Sequence, residues 1–299
     1  MVFRVQTQPR YTADQIIRIA LEEFVSQLEI MFTGTGSPRP TLERANSGQL
    51  LQIGDRTILL DCGGGTTRRL LEAGIDLTTI DTLILTHLHS DHTLDYAEFM
   101  LGSWAMGRSS MQVYGPAGTR RFHDLVLMQP YQADIEYRIS LGRAPAGMTD
   151  VGINEYGPGV VLDEPDLRIT AAEVVHSTLT YALRFEHAGE VLVHSGDTCY
   201  CDALVELARG ADVLVHDVCM APSPAFENNP AFPNLYEHLK EHHATPAEAG
   251  RVAREAGVRK LVLTHFLLGA RIEQTIEECR DEFDGEIIIG EDLLRVTCD

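Results

Sequence analysis

No stretch of this chain approaches the ~18 apolar residues a membrane-spanning helix needs, so no membrane segment is expected. The N-terminus, MVFRVQTQPRYTADQ, lacks the uninterrupted apolar run of an export signal, and a cytoplasmic location is expected. Positive charge is scarce. Lys and Arg number 24 against 44 Asp and Glu, giving a net charge of −20 and a pI near 4.9. Nucleic-acid binders grip phosphates with clustered Lys and Arg. The densest clusters here are the pairs Arg68-Arg69 and Arg120-Arg121, so nucleic acid is not expected as a partner. The six cysteines have neither zinc-ribbon nor CxxC spacing and are too sparse for a disulfide framework, which fits a reducing compartment. The loop GTGSP after the first strand lacks the lysine of GxxxxGK[ST] and the full GxGxxG, which argues against nucleotide binding.

What is present is a chain of 299 residues, long enough to bury one large core or two small ones. It reads as one domain over 1–299, with an amphipathic helical extension at 11–28 and a long, aperiodic loop insertion at 129–160. Strands alternate with helices through the first half, and the pattern turns β-rich from 161, which implies sheets with helices on their faces. The extension and the long loop are compatible with a homodimer.

The densest chemistry is DTLILTHLHSDHTLDYAE, where an apolar strand runs into His87, His89, Asp91 and His92. Three imidazoles and a carboxylate in six residues are difficult to explain as packing, and these donors suit a borderline metal such as zinc. An extended backbone here would place His87, His89 and Asp91 on one side and His92 on another, a geometry for two ions. The second half offers His176, Asp197 and His265, each just beyond an apolar strand. Asp61 sits at a strand end and reads as a brace for the metal-bearing loop. Trp104, Tyr131, Phe226, Phe232 and Tyr236 are the expected pocket wall for a small, partly apolar substrate.

The motif His87-Leu88-His89-Ser90-Asp91-His92 resembles the HxHxDH signature of the metallo-β-lactamase superfamily. GTGSP with Asn46-Ser47, Asp61-Cys62-Gly63, Gly196-Asp197-Thr198, and His243-Ala244-Thr245 ahead of Thr264-His265-Phe266 make it most similar to the branch of ribonuclease Z and related arylsulfatases and phosphodiesterases. The resemblance covers roughly residues 28–290. It implies an α/β fold of four layers, an αββα sandwich with two mixed sheets flanked by helices. It also implies two divalent ions. His87, His89 and His176 would hold the first, Asp91, His92 and His265 the second, and Asp197 would bridge. Zinc is usual in the family, with manganese or iron on similar ligands in some relatives. Asp91 would orient the attacking hydroxide held between the ions, and His243 would serve the leaving group.

The expected activity is metal-dependent hydrolysis of a small molecule, with a phosphodiester or aryl sulfate ester first. Alternatives are a lactone or other carbonyl ester, tRNA 3′-end cleavage, and a non-enzymatic metal-binding protein. Residues 129–160 carry few basic residues, unlike the tRNA-gripping arm of ribonuclease Z. Class B β-lactamases place a cysteine ligand where this chain has Asp197, which argues against β-lactamase activity.

Overall fold

The computed structural model describes residues 28–226 and 234–299. The helix expected at 11–28 lies outside them except for Leu28, which opens the first strand. One sheet contains β1 (Leu28–Gly34), β2 (Gly48–Ile53), β3 (Arg56–Leu60), β4 (Thr82–Ile84), β5 (Gln112–Gly115) and β6 (Gly152–Glu155) in sequence order. The other contains β7 (Gly159–Glu164), β8 (Leu167–Glu173), β9 (Tyr181–His187), β10 (Glu190–His194), β11 (Val213–Asp217), β12 (Lys260–Thr264) and β13 (Glu286–Ile289) in sequence order. A last strand, β14 (Arg295–Thr297), returns to pair antiparallel with β1. Each sheet is antiparallel at one end and parallel at the other. β3 to β6 run parallel, and so do β10 to β13.

The strands follow their side-chain pattern. In β8 Leu167, Ile169 and Ala171 point inward while Arg168 and Thr170 point out, the period-2 reading of a half-buried strand. β11 (VLVHD) is buried at every position, as a parallel strand covered on both faces must be. Phe32, Leu51, Phe185, Val215 and Val262 interlock between the sheets. The outer face of the first sheet is covered by a helix over Tyr96–Met106 through Phe99, Met100 and Trp104. The outer face of the second is covered by helices over Pro246–Ala256 and Ile272–Arg280. The four-layer αββα sandwich expected from the sequence is therefore the fold. Each fully buried Leu, Val or Phe in these layers contributes about 1.5–3 kcal/mol.

The aperiodic insertion expected over 129–160 is instead a helix, Gln129–Ser140, an irregular connection over 141–151, strand β6 and the start of β7. A π-helical turn over Asp124–Met128 joins it to the helix before it, so the apolar spacing slips by a residue and hides the helix from a periodicity reading. Among the described residues no helix is long and apolar enough to cross a membrane.

Candidate metal centre

The parallel strands aim their C-terminal ends at one edge of the sandwich, the place where open α/β sheets bind ligands. β4 leads into the HLHSDH loop, β10 into Asp197, β11 ends at Asp217, and β12 leads into His265. The two halves are stitched together at this edge by the GTGSP loop. Gly36 bridges both Asn46 and Phe266, while Phe266 N donates to the Thr35 carbonyl at 2.8 Å and Ser37 N to the Phe266 carbonyl at 3.1 Å. Gly34 is required there, because a Cβ would fall 1.7 Å from the Asn46 carbonyl oxygen.

The motif loop is not extended throughout. His89 has extended backbone angles (φ −66°, ψ 154°), but Ser90–Thr93 forms a helical turn. The expected alternation therefore stops at His89, and Asp91 and His92 reach the centre from the turn. Asp197 lies at the middle. Its Oδ2 stands 3.3 Å from His92 Nε2, 3.3 Å from His265 Nε2, 3.8 Å from His87 Nε2 and 3.9 Å from His176 Nε2. Asp91 Oδ2 is 3.1 Å from His265 Nε2 and 3.9 Å from His92 Nε2, and His89 Nδ1 is 3.1 Å from His176 Nε2. All seven residues singled out as ligands thus meet at one point. They fall into two sets of converging donors, His87/His89/His176 and Asp91/His92/Asp197/His265.

Surrounding side chains fix which nitrogen each ring offers. Asp61 accepts from Thr86 N (2.8 Å), Thr86 Oγ1 (2.8 Å) and His92 Nδ1 (2.7 Å), the bracing role expected of it. Because the Thr86 hydroxyl hydrogen goes to Asp61, its oxygen accepts from His87 Nδ1 at 3.0 Å. His176 Nδ1 donates to the His242 carbonyl at 2.9 Å. In each case the proton sits on Nδ1 and the Nε2 lone pair faces Asp197. His87 Nε2 and His92 Nε2 are buried without a hydrogen-bond partner. Lone pairs crowded together in a buried site are costly unless a cation lies among them, so the donor set fits a pair of divalent ions.

Electrostatics agree for the first set, while in the second burial is outweighed by Asp197 and Asp61, which hold His92 well above its ordinary pKa. Burial keeps His87 well below its ordinary pKa and brings His176 to about 4, so both are neutral donors. Burial alone would raise Asp197, but His265 and His92 outweigh it and hold the carboxyl well below the usual range. His265 itself, despite burial, is held well above its ordinary value by Asp197 and Asp217. Its backbone is left-handed at φ +63°, as is that of Asp61 at φ +55°. Side chains other than Gly rarely adopt this conformation, and it recurs where a site fixes the direction of a group.

His243 lies beside the donors, its ring 4.9 Å from that of His176 and stacked 5.4 Å from that of His265. Its Nδ1 donates to Asp217 Oδ2 at 2.7 Å. Asp217 escaped the sequence reading, although it ends an apolar strand as the other acidic and imidazole groups do. Burial pushes His243 down, and Asp217 outweighs it and holds the imidazole above its ordinary pKa.

The expected aromatic wall is not the one observed. Trp104 is fully buried beneath the first sheet and Tyr131 sits on the outer helix over Gln129–Ser140; Phe226 and Tyr236 pack edge-to-face on one another at 5.2 Å, and Phe232 lies outside the described residues. The cavity over the donors, about 250 Å³, is walled by Pro38, Arg39, Cys219, Leu235, Leu239 and Leu267 together with His89, Asp91, Asp197, His243 and His265. It is apolar on its far side, with Arg39 the one Lys or Arg among its described lining residues.

Residues 56–266 match the family model described as the beta-lactamase superfamily domain. The ribonuclease Z of Mycobacterium marinum is 34% identical over 278 residues, covering 90% of this chain and 98% of that protein. The ribonuclease Z of Mycobacterium bovis matches at the same identity and coverage. Among solved structures, the metallo-β-lactamase fold protein YhfI of Bacillus subtilis superposes with a TM-score of 0.70 at 24% identity, over 91% of this chain and 99% of that one. The short form of human tRNase Z gives 0.67 at 21%, over 91% and 99%, a likeness of fold. These relatives overturn the expectation drawn from charge that nucleic acid is not a partner: similarity runs nearly the full length of proteins named as ribonucleases. Net charge sums the whole surface, whereas phosphate recognition depends on the few groups beside the reacting bond.

Proposed function

The chain belongs to the β-lactamase superfamily, among its ribonuclease Z-like members, and is a metal-dependent hydrolase; from that premise we propose that the bond it breaks is a phosphodiester, RNA being the first polymer to test. The observation that carries this reading is the pairing of the converging donors with the His243–Asp217 couple. Water has somewhere to be activated, and the departing oxygen has a buried proton donor beside it.

Zinc is the proposed occupant, since five imidazoles with two carboxylates suit a borderline ion. When bound, such a pair supplies a water of lowered pKa and neutralises charge on the attacked group. His87, His89 and His176 would hold one ion, and Asp91, His92 and His265 the other, with Asp197 shared. Asp91, which borders the cavity and places Oδ2 3.1 Å from His265 Nε2, would also orient the attacking water. Asp217 fixes the His243 tautomer and favours the imidazolium, and His243 gives its proton to the leaving oxygen. A ribose hydroxyl leaves poorly without that proton, while a phenolate leaves readily. The small, largely apolar cavity favours a second reading, an aryl or similarly compact phosphodiester as substrate.

Turnover of precursor tRNA, a bis-aryl phosphodiester, an aryl sulfate and a lactone by the metal-loaded protein tests both. Phosphodiester cleavage lost in His87→Ala and Asp197→Ala is expected. His243→Ala should slow RNA cleavage far more than aryl ester cleavage. Preference for the lactone, or equal loss on both phosphodiesters, would refute the assignment.

A further inference from the structure

Cys219 has no part in the hydrolytic scheme, yet its thiol stands against it. Cys219 Sγ and one nitrogen each of His243 and His265 lie within 4.8 Å of one another, and all three side chains are buried. They come from three separate segments: Cys219 from just past β11, His243 from before the helix Pro246–Ala256, and His265 from the end of β12. The Cys219 amide donates to Asp217 Oδ1 at 2.7 Å, which fixes the direction of that turn. The two imidazoles are stacked at 14°, so their edges present donors in parallel. His265 turns Nε2 toward Asp91 and Asp197; its Nδ1 is buried without a hydrogen bond of good geometry, Asp217 Oδ1 lying 3.4 Å away. All three residues border the cavity, which leaves room for a water as fourth ligand.

A thiol with two imidazoles is a donor set for a thiophilic divalent ion, distinct from the all-His/Asp set beside it. We propose that Cys219, His243 and His265 form an additional metal site, taking excess zinc or cadmium, whose occupation inhibits hydrolysis. For the ion to bind, the Cys219 thiol proton and the N–H protons of His265 Nδ1 and His243 Nε2 would pass to solvent, leaving a thiolate and two nitrogen lone pairs as the donors. His243 then has its lone pair engaged and no proton to give. The inhibitory half of this inference rests on the role of His243 proposed above, whereas the binding half does not.

The test is a cadmium titration of the metal-loaded protein in a Cys199→Ser/Cys201→Ser background, which silences the two half-exposed thiols. Three readouts are taken: the near-ultraviolet cadmium–thiolate absorption, bound metal per chain, and hydrolysis of a bis-aryl phosphodiester. A saturable thiolate band, one ion more per chain, and about tenfold or greater inhibition are expected. Adding Cys219→Ser, or Cys219→Ala, should abolish the band, remove the extra ion and raise the inhibitory midpoint about tenfold or more, each variant being read against its own activity. A band and inhibition that survive both substitutions would overturn the site. A Cys219-dependent band with undiminished hydrolysis would keep the site, overturn the inhibition, and put the fault in the role given to His243.

Discussion

Asp61→Asn isolates the shell that orients the donors. Asp61 is fully buried and accepts three hydrogen bonds, one of them from His92 Nδ1 at 2.7 Å. In the asparagine variant Oδ1 can still accept from Thr86 N, and the Thr86 hydroxyl can rotate to accept from the new amide. His92 cannot adjust so simply. An N–H now faces its Nδ1, and the pair is satisfied only if the ring moves its proton to Nε2, the nitrogen that faces Asp197 at 3.3 Å. The ligand nitrogen then becomes a donor. Substitutions of this kind typically cost 10–100-fold in metal affinity, about 1.4–2.7 kcal/mol. Asparagine tolerates the left-handed φ of +55° at this position, so backbone strain does not confuse the result. Metal-free protein is titrated against a competing chelator and bound metal is counted per chain. One ion should remain tight while the second weakens by that factor, with thermal stability reported alongside. Two ions held at native affinity would refute the tautomer argument, and loss of both would show that Asp61 supports the whole loop instead.

Three other outcomes follow from the geometry. Protonated His243 is present only below its raised pKa, so phosphodiester turnover should fall as pH rises through that value. Asp217→Asn should start the fall at lower pH, and an unmoved pH profile would separate the two residues. Gly63→Ala places a Cβ 2.1 Å from the Asp91 carbonyl oxygen and 2.6 Å from that of Ser47; thermal denaturation should show a loss of about 1–3 kcal/mol, with reduced metal content from the displaced turn. Leu239→Trp narrows the cavity without touching a donor, so kcat/KM for a bis-aryl phosphodiester should drop about tenfold or more at unchanged metal content, and equal turnover would move the substrate elsewhere.

The local half of the site was legible because its chemistry is dense in sequence. HLHSDH packs four donors into six residues, and each distant donor announces itself at the end of an apolar strand. Asp217 was not legible, because its role arises from register. β11 and β12 pair in parallel with Asp217 opposite Thr264, which sets the carboxylate beside His265 and within reach of His243. No spacing along one strand encodes that neighbour. The aromatic wall failed for a different reason. Tyr96, Met100 and Trp104 recur every four residues, the period of a helix face turned to a core, and all three are fully buried. Read by period, Trp104 belonged to packing, while the cavity wall came from leucines whose neighbours in sequence gave no sign of it.

The two strained residues show how the centre is held. Asp61 and His265 are both left-handed and both direct groups at the centre, one by holding His92 and the other by reaching Asp91 and Asp197 itself. They stand on opposite halves of the sandwich, at the ends of β3 and β12. Such conformations cost about 1–3 kcal/mol each and persist only where the surroundings over-determine them. Here the surroundings are backbone hydrogen bonds: Asp61 N to the Ile84 carbonyl at 2.8 Å, and Phe266 N to the Thr35 carbonyl at 2.8 Å. The strain is therefore borne by the sheets rather than by the loops that carry the donors. That arrangement lets the centre stay open on its cavity side while its ligands are held from behind, the condition a hydrolytic metal site must meet to admit both water and substrate.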